Sequence, residues 1–532
     1  MGRFLSGGSL TELSPGSSPE AAPGDEVDLF IIGGGINGAG IARDAAGRGL
    51  SVVLVERDDL ASGTSWASSK LVHGGLRYLE HYKFRLVREG LAEREVLLRI
   101  APHLVRPLRF VMPYQPALRP AWMIRLGLFL YDRIGGRSSL PDSESVDLAS
   151  QWGAGLKPIF RRGFAYSDCR VDDARLVILN ARDAARNGAR ILTRTTCLKA
   201  RRDGTRWQVA TEDRRSGARR NFRARAVVNA AGPWVGEVAE RVAGVASHDR
   251  VRLIKGSHVV VPRLYQGEQA YLLQSPDRRI VFIIPFEERF SLIGTTEIAV
   301  DGVSGTLSIS PAETLYLRRV VAGFLERGFE DSDVVWSYAG VRALYDDGSK
   351  DLSAVTRDYV LELDGGKATP PLLSVFGGKI TTYRRLAEHA LDKLRPTFPG
   401  MKAAWTAGGT LPGGDVGSGG MLQFIARLVA TRPDLPSDLL RRLARRHGSE
   451  VETLLGSARG TADLGRHFGG LLYEREVEYF IRHEWACSVE DIIWRRSKSG
   501  LHMPQEGIAA LADFLARQRG ALASPPATAE TR

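Results

Sequence analysis

The most chemically pointed stretch of the sequence is Gly33-Gly34-Gly35-Ile36-Asn37-Gly38, set between an apolar run at 27–33 and a small-residue segment at 39–49. A second apolar run, 51–56, follows and ends on Glu56. Glycines at this spacing have separate uses. Gly33 permits a tight turn, Gly35 lets the backbone approach a pyrophosphate, and Gly38 lets a helix pack closely on a strand. Gly34 and Asn37 complete the turn, and a helix starting there offers its N–H groups and positive end to phosphates. Glu56 is placed to accept hydrogen bonds from ribose hydroxyls, and an acid there disfavours a 2′-phosphate. The unit predicts a dinucleotide other than NADP and leaves FAD and NAD both open.

Two further segments suit such a ligand. Residues 62–75 are dense in Ser, Thr and Gly and include Ser65, Ser68, Ser69, Lys70, His73, Gly74 and Gly75. Directly after a ribose-binding acid, this run reads as a loop lining the cofactor; a polar surface loop is the other reading. Gly377-Gly378-Lys379-Ile380-Thr381-Thr382 follows the apolar run that begins at 372 and opens a helical segment, 383–394. Gly378 and Thr381 would there present N–H groups and a positive helix end to an electron-rich part of the cofactor.

These groups need strands and helices to hold them. Short β-branched runs bounded by turn residues, at 27–33, 51–56, 225–232, 258–262, 280–286 and 372–378, read as buried strands. Apolar residues at helical spacing in 439–448, 474–485 and 507–518 predict helices. Residues 406–420 (TAGGTLPGGDVGSGG) are too rich in glycine for a regular element and read as a linker. The expected order is a disordered tail at 1–26, a cofactor-binding domain interleaved with a substrate domain at 27–405, the linker at 406–420, a helical domain at 421–520, and a disordered tail at 521–532. The fold class is α/β, with a Rossmann-like dinucleotide-binding domain, an α+β substrate (cap) domain and a small all-helical C-terminal domain.

A chain of 532 residues exceeds one ordinary domain. Its 73 basic and 61 acidic residues leave a net charge of +12, which favours anionic partners: phosphorylated metabolites, acidic lipid or nucleic acid. Basic residues do not alternate with aromatics in a stacking pattern, so nucleic acid is not expected. Cys169, Cys197 and Cys487 form no CxxC pair, so neither a disulfide nor a metal site is expected. No run approaches the ~20 apolar residues a spanning helix needs, and 1–26 has no signal-peptide core.

Residues 58–95 (DDLASGTSWASSKLVHGGLRYLEHYKFRLVREGLAERE) resemble the FAD-dependent glycerol-3-phosphate dehydrogenases, which favours FAD. The similarity continues through 119–136, YSDCRVDDARL (166–176), NAAGPW (229–234), RLIKGSHVVVPR (252–263), IGTTE (293–297), GVRAL (340–344), SVFGGKITTYRRLAE (374–388) and 472–500. It spans about 27–500. It implies oxidation of glycerol 3-phosphate to dihydroxyacetone phosphate, with electrons passing through FAD to membrane quinone, and peripheral attachment to the inner face of the cell membrane. Ala343 departs from the proline of the family pattern, and the N-terminal extension is longer than the short start of bacterial members.

Within these motifs the resemblance adds Gly232 to the cofactor contacts and singles out five basic residues: Arg77, Lys255, His258, Arg342 and Lys379. Arginine forks onto phosphate better than lysine does. Arg77, Tyr78 and Lys379 are expected to hold phosphate with help from Lys255, and Arg342 to orient the hydroxyls. His258 is the candidate general base, since imidazole titrates near neutrality. No metal is required.

Residues 119–137 carry an apolar stretch between basic residues and read equally as a membrane-contacting helix or an amphipathic core helix. The basic patch at 439–447 could meet acidic lipid or water. The expected location is cytoplasmic and peripheral to the membrane, and a homodimer is left open. An oxygen-dependent glycerol-3-phosphate or amine oxidase of the same fold is the rival reading, which fold alone does not exclude.

Overall fold

A computed structural model of the chain describes residues 25–523 apart from 117–118, 247–250, 276, 278, 304, 306, 346–357 and 367. Of the expected N-terminal tail, 1–26, only Asp25 and Glu26 are among the described residues. Residues 1–24 lie outside the described residues, but Glu26 opens the first strand and the buried Asp25 takes a hydrogen bond from Arg190 (3.1 Å). At the other end, 524–532 lie outside, while 521–523 continue the helix Gln505–Ala523.

The first sheet grows around β1 (Glu26–Ile32). Its order is Val360–Asp364, Leu372–Phe376, Arg219–Asn229, β1, β2 (Val52–Glu56) and Arg190–Thr193. β1 pairs parallel with both neighbours, Leu29 lying between Val52 and Ala226. Four of the runs read as strands, at 27–33, 51–56, 225–232 and 372–378, fall in this sheet, covered on both faces as parallel strands must be, and those at 258–262 and 280–286 fall in the second. α1 (Ile36–Gly47), Asp173–Arg186 and Tyr383–Leu394 share one core with Ile31, Leu54 and Val228, while Trp207, Phe222 and Val53 fill the other side.

A second, mostly antiparallel sheet forms the substrate domain. Its long strands Val251–Pro262 and Trp336–Tyr345 pair so that Gly256 faces Gly340 and Ile254 faces Arg342. Against it lies the helix Ala121–Ile134, and here the structure divides the two readings of 119–137. Leu128 and Tyr131 are buried, whereas Trp122, Met123, Leu126, Phe129 and Leu130 are exposed. One edge of the helix is core and the opposite face is a bare apolar strip.

The C-terminal domain is helical but for a two-stranded ribbon, His467–Gly469 with Leu472–Tyr473. Its core gathers Phe424, Leu440, Leu443, Phe480 and Leu511. The stretch 406–420 is not a free linker. Leu411 is buried and its N–H bonds to the Ile100 carbonyl (2.9 Å), Arg43 bonds to the Gly409 carbonyl (2.6 Å), and Ser449 N–H bonds to the Gly413 carbonyl (3.0 Å). A Cβ on Gly413 would stand 2.1 Å from the His447 carbonyl oxygen. Gly413 and Gly414, whose Cβ would stand 2.4 Å from the Ile100 carbonyl oxygen, serve close backbone approach rather than slack.

Ion pairs fasten the helical domain to the first. Glu484 takes Arg175, Glu450 takes Arg182 and Arg186, and Lys498 reaches Asp172 (3.0 Å). Asp59, buried just beyond β2, takes Arg194 (3.0 Å), Arg495 (2.6 Å) and both terminal nitrogens of Arg496. Among the described residues no helix is long and apolar enough to cross a membrane.

Candidate active site

A single cavity of about 640 Å³ runs from the glycine turn to the face of the second sheet. At one end it is lined by Gly33, Gly35, Asn37 and Glu56, along its length by Ser65, Ser68, Ser69 and His73, and farther on by Gly75, Arg77, Tyr78, Arg342, Gly378, Lys379 and Thr381. Gly232 lines it too, with φ +58° and nothing within 4 Å of where a Cβ would stand.

The turn is shaped by what its glycines omit. Gly33 has φ +114°, and a Cβ on Gly38 would lie 1.9 Å from the Gly33 carbonyl oxygen. Gly34 does not line the cavity; its N–H bonds to Glu56 Oε2 (2.7 Å), and a Cβ would meet the Glu56 side chain at 2.7 Å. Asp58 N–H holds the other Glu56 oxygen (2.8 Å). Burial raises the Glu56 carboxyl above its usual range, the two backbone bonds opposing. Asn37 donates to the Gly377 carbonyl (3.0 Å), which joins the two glycine clusters, and its Oδ1 is buried with no hydrogen-bond partner in the protein.

In the loop 62–75, Ser65 Oγ accepts from Ile36 N–H (2.9 Å), Ser68 Oγ donates to Asp173 (2.7 Å), and Ser69 Oγ meets His258 Nε2 (2.9 Å). His73 N–H bonds to Thr381 Oγ1 (3.3 Å). Two expected cofactor contacts are corrected here. Lys70 is turned inward, its ammonium between both Asp173 oxygens (2.8 and 2.9 Å) and the Trp66 carbonyl (2.7 Å), so it braces the loop from behind. Gly74 is also behind the wall, its N–H bonded to Tyr131 Oη (2.9 Å) and Leu91 packed where a side chain would be.

Lys255, expected at the substrate, and His258, the candidate general base, do not line the cavity. Lys255 leaves the phosphate set: its ammonium bonds to Glu313 (2.8 Å) and the Ser308 carbonyl (3.0 Å), away from the cavity. Strand alternation is the reason, since Lys255 and Ser257 both reach Glu313 while Gly256 faces the cavity. His258 is only 2% exposed, stacked on Tyr338 and screened from the cavity by Ser69. Burial, with Arg342 and Lys70 adding, pushes it well below its ordinary value, which favours the neutral ring.

Arg77 and Lys379 stay on the wall with no ion pair among the described residues; the Lys379 ammonium stands 4.0 Å over the Tyr78 ring. Arg342 does have a carboxylate, Glu297 (3.2 Å). Glu297, Thr295, Tyr166, Phe282 and Arg279 also line the cavity and escaped the reading of the sequence. Three of them left a signal, Glu297 and Thr295 as members of IGTTE and Tyr166 as the first residue of YSDCRVDDARL.

The cavity fits a dinucleotide: a turn that cannot carry side chains, an acid beside it, and a buried amide oxygen awaiting a donor. The comparisons agree. Residues 28–384 match the model of the FAD dependent oxidoreductases, and 404–521 match the C-terminal domain of alpha-glycerophosphate oxidase. A glycerol-3-phosphate dehydrogenase of Pseudomonas aeruginosa is 52% identical, covering 94% of this chain and 98% of its own. A D-erythritol 1-phosphate dehydrogenase of Brucella abortus is 50% identical over 92% of this chain and 98% of its own. The crystal structure of the Bacillus halodurans glycerol-3-phosphate dehydrogenase complexed with FAD is 26% identical, with a TM-score of 0.72, covering 93% of this chain and 90% of that one. On sequence, fold and cofactor site together, the chain is a flavoprotein oxidoreductase that binds FAD and belongs to the FAD-dependent glycerol-3-phosphate dehydrogenase family.

Proposed function

We propose that the protein oxidises sn-glycerol 3-phosphate to dihydroxyacetone phosphate and passes the electrons to membrane quinone. The observation that carries the substrate reading is the pair Arg77 and Lys379, two cations on the cavity wall without carboxylate partners among the described residues. A phosphate dianion supplies the missing charge, the guanidinium forking onto it and the ammonium acting as a point charge. Tyr78, whose ring lies under Lys379, fixes that ammonium. Arg342 orients the hydroxyl end. FAD, when bound, supplies the two-electron acceptor.

Anaerobic bleaching of the flavin tests this directly. Glycerol 3-phosphate should bleach it and glycerol hardly at all, because binding energy at the phosphate is used in the transition state. Arg77→Ala should lower kcat/KM for glycerol 3-phosphate by about 10- to 100-fold, as loss of a charged hydrogen bond implies, and leave the slow glycerol rate unchanged. Equal efficiency on the two alcohols refutes the assignment. The Brucella relative supports a second reading, a four-carbon polyol phosphate, which faster bleaching by D-erythritol 1-phosphate would select. Reoxidation separates the acceptors: fast recovery with a quinone and slow recovery in air fits the dehydrogenase, the reverse an oxidase.

The bare strip Trp122, Leu126 and Phe129, with Phe84 and Tyr82 also exposed, supports attachment to the inner face of the cell membrane. Replacing Trp122 and Phe129 with Ser should abolish vesicle binding with little change in thermal stability. Leu128→Ala should do the opposite, costing about 2–5 kcal/mol of stability with vesicle binding kept. Loss of stability in the Trp122/Phe129 variant would return the strip to the core reading.

A further inference from the structure

Building on the polyol-phosphate reading, we propose that Glu297 accepts the proton of the substrate's carbinol hydroxyl, with Arg342 donating to the same oxygen. The two side chains line the cavity together, Glu297 Oε1 lying 3.2 Å from Arg342 Nη1, and both remain partly exposed to it. A carboxylate beside an arginine weakens that arginine as a reader of phosphate, because the two anions compete for the same N–H groups. The pair instead offers a donor and an acceptor side by side, which matches an O–H group. Among the described residues the cavity's other carboxylates are elsewhere: Glu56 and Asp58 belong to the dinucleotide turn, and Glu237 follows Trp234.

The surrounding structure holds Glu297 in place. It sits in the short link between the strands Phe290–Gly294 and Ile298–Val300. The adjacent Thr296 accepts from Ser257 N–H (3.0 Å) and donates to the buried Glu313 (2.7 Å), which also binds Ser257 Oγ and Lys255. Burial would raise the Glu313 carboxyl, but Lys255 and Thr296 hold it down to about 2, so this knot stays charged. Lys255 is thus a positioning residue for the link. Gly256 keeps the approach open: a Cβ there would stand 2.6 Å from Thr295 Oγ1 and 3.5 Å from Arg342 Nη2.

Oxidation of the carbinol breaks one C–H and one O–H bond and forms the carbonyl π bond. The hydrogen on carbon leaves with its electron pair to FAD, and the proton on oxygen goes to Glu297. His258, behind Ser69, is in no position to take it.

The test uses the FAD-loaded enzyme and the variants Glu297→Gln, Glu297→Asp and His258→Gln. Glu297→Gln should slow anaerobic flavin reduction by glycerol 3-phosphate about 100- to 10,000-fold. Binding of inorganic phosphate, read from the flavin spectrum, should shift less than threefold. The fall in the wild-type reduction rate at low pH, where the carboxylate is protonated, should vanish in Glu297→Gln and persist in His258→Gln. Glu297→Asp should recover part of the rate. Reduction of Glu297→Gln within threefold of wild type, or loss of the low-pH limb in His258→Gln alone, overturns the proposal. Should Glu297→Gln not retain FAD, Glu297→Asp carries the test, and an unchanged rate there overturns it equally. If wild-type flavin is bleached by no polyol phosphate, the functional reading fails instead, a result distinct from either of these.

Discussion

Gly38→Ala should yield a protein that cannot be loaded with FAD. The added methyl carbon would lie 1.9 Å from the Gly33 carbonyl oxygen and 3.1 Å from its carbon, inside any tolerable contact. Gly33 has nowhere to retreat, since its own hydrogen-bearing face lies against Ala230, where a Cβ would be 2.5 Å from the carbonyl oxygen. The start of α1 would therefore have to lift off the turn, and the backbone of Gly35 to Asn37 would lose its place on the cavity wall. Overpacking side chains costs about 1–3 kcal/mol; a clash between two backbone segments is less easily relieved and should exceed it. Gly35→Ala is the internal control. Its Cβ would meet only Ser65 Oγ at 3.1 Å in the cofactor-free cavity, so the apoprotein should fold normally and only FAD affinity should fall. Reconstitution followed by flavin absorbance and a melting curve checks both, and normal FAD content in Gly38→Ala would falsify this account of the turn.

Asp59→Asn should be the most damaging single change away from the cavity. Three guanidiniums, from Arg194, Arg495 and Arg496, converge on this buried carboxylate. Breaking a buried pair from one side leaves uncompensated charge and costs about 3–5 kcal/mol. The loop concerned is functional, because Ala61 N–H bonds to the Gly34 carbonyl (3.0 Å) and Glu56 stands just upstream. FAD should therefore dissociate more readily from the variant as well. The pH dependence has a definite sign. Burial alone would raise the Asp59 carboxyl, but Arg496, Arg495 and Arg194 prevail and hold it well below the usual carboxylate range. A carboxyl depressed on folding stabilises fully above its unfolded value, ~3.9, and loses that contribution only as pH falls through the folded value. Wild-type melting temperature should thus owe nothing to Asp59 titration above about pH 5, while Asp59→Asn melts several degrees lower throughout that range. A variant with wild-type melting temperature and FAD retention would remove the clamp from the argument.

What the sequence disclosed follows from what is local in it. The glycine turn, Glu56 and the cluster at 377–382 were readable because strand, turn and helix are contiguous there; the helix Tyr383–Leu394 forms where the pattern put it, and α1 covers 36–47 where the small residues suggested 39–49. The KGSH motif misled because its residues were taken as a group. On a strand they alternate, sending Lys255 to Glu313 and the cavity face to Gly256. Glu297 was missed because its significance depends on Arg342, which only the pairing of distant strands brings near. At 406–420 glycine count suggested slack, whereas the glycines serve contacts with Ile100 and His447. In 119–137 the amphipathic pattern was plain, but periodicity cannot say which face the rest of the protein covers.

The order of strands in the first sheet also bears on how the protein is made. β1 leaves the ribosome well before one of its neighbours, Arg219–Asn229, and before the next strand beyond, Leu372–Phe376. The loop that follows β2 waits longer still, for Arg495 and Arg496. The nascent chain must therefore carry a valine- and isoleucine-rich strand–helix–strand unit, its two strands parallel, through most of translation before its sheet is complete. We predict that cofactor loading is post-translational: ribosome-bound chains arrested before residue 490 should hold no FAD, and chains released after 500 should. Flavin retained by the shorter arrested chains would show that the dinucleotide turn matures on its own.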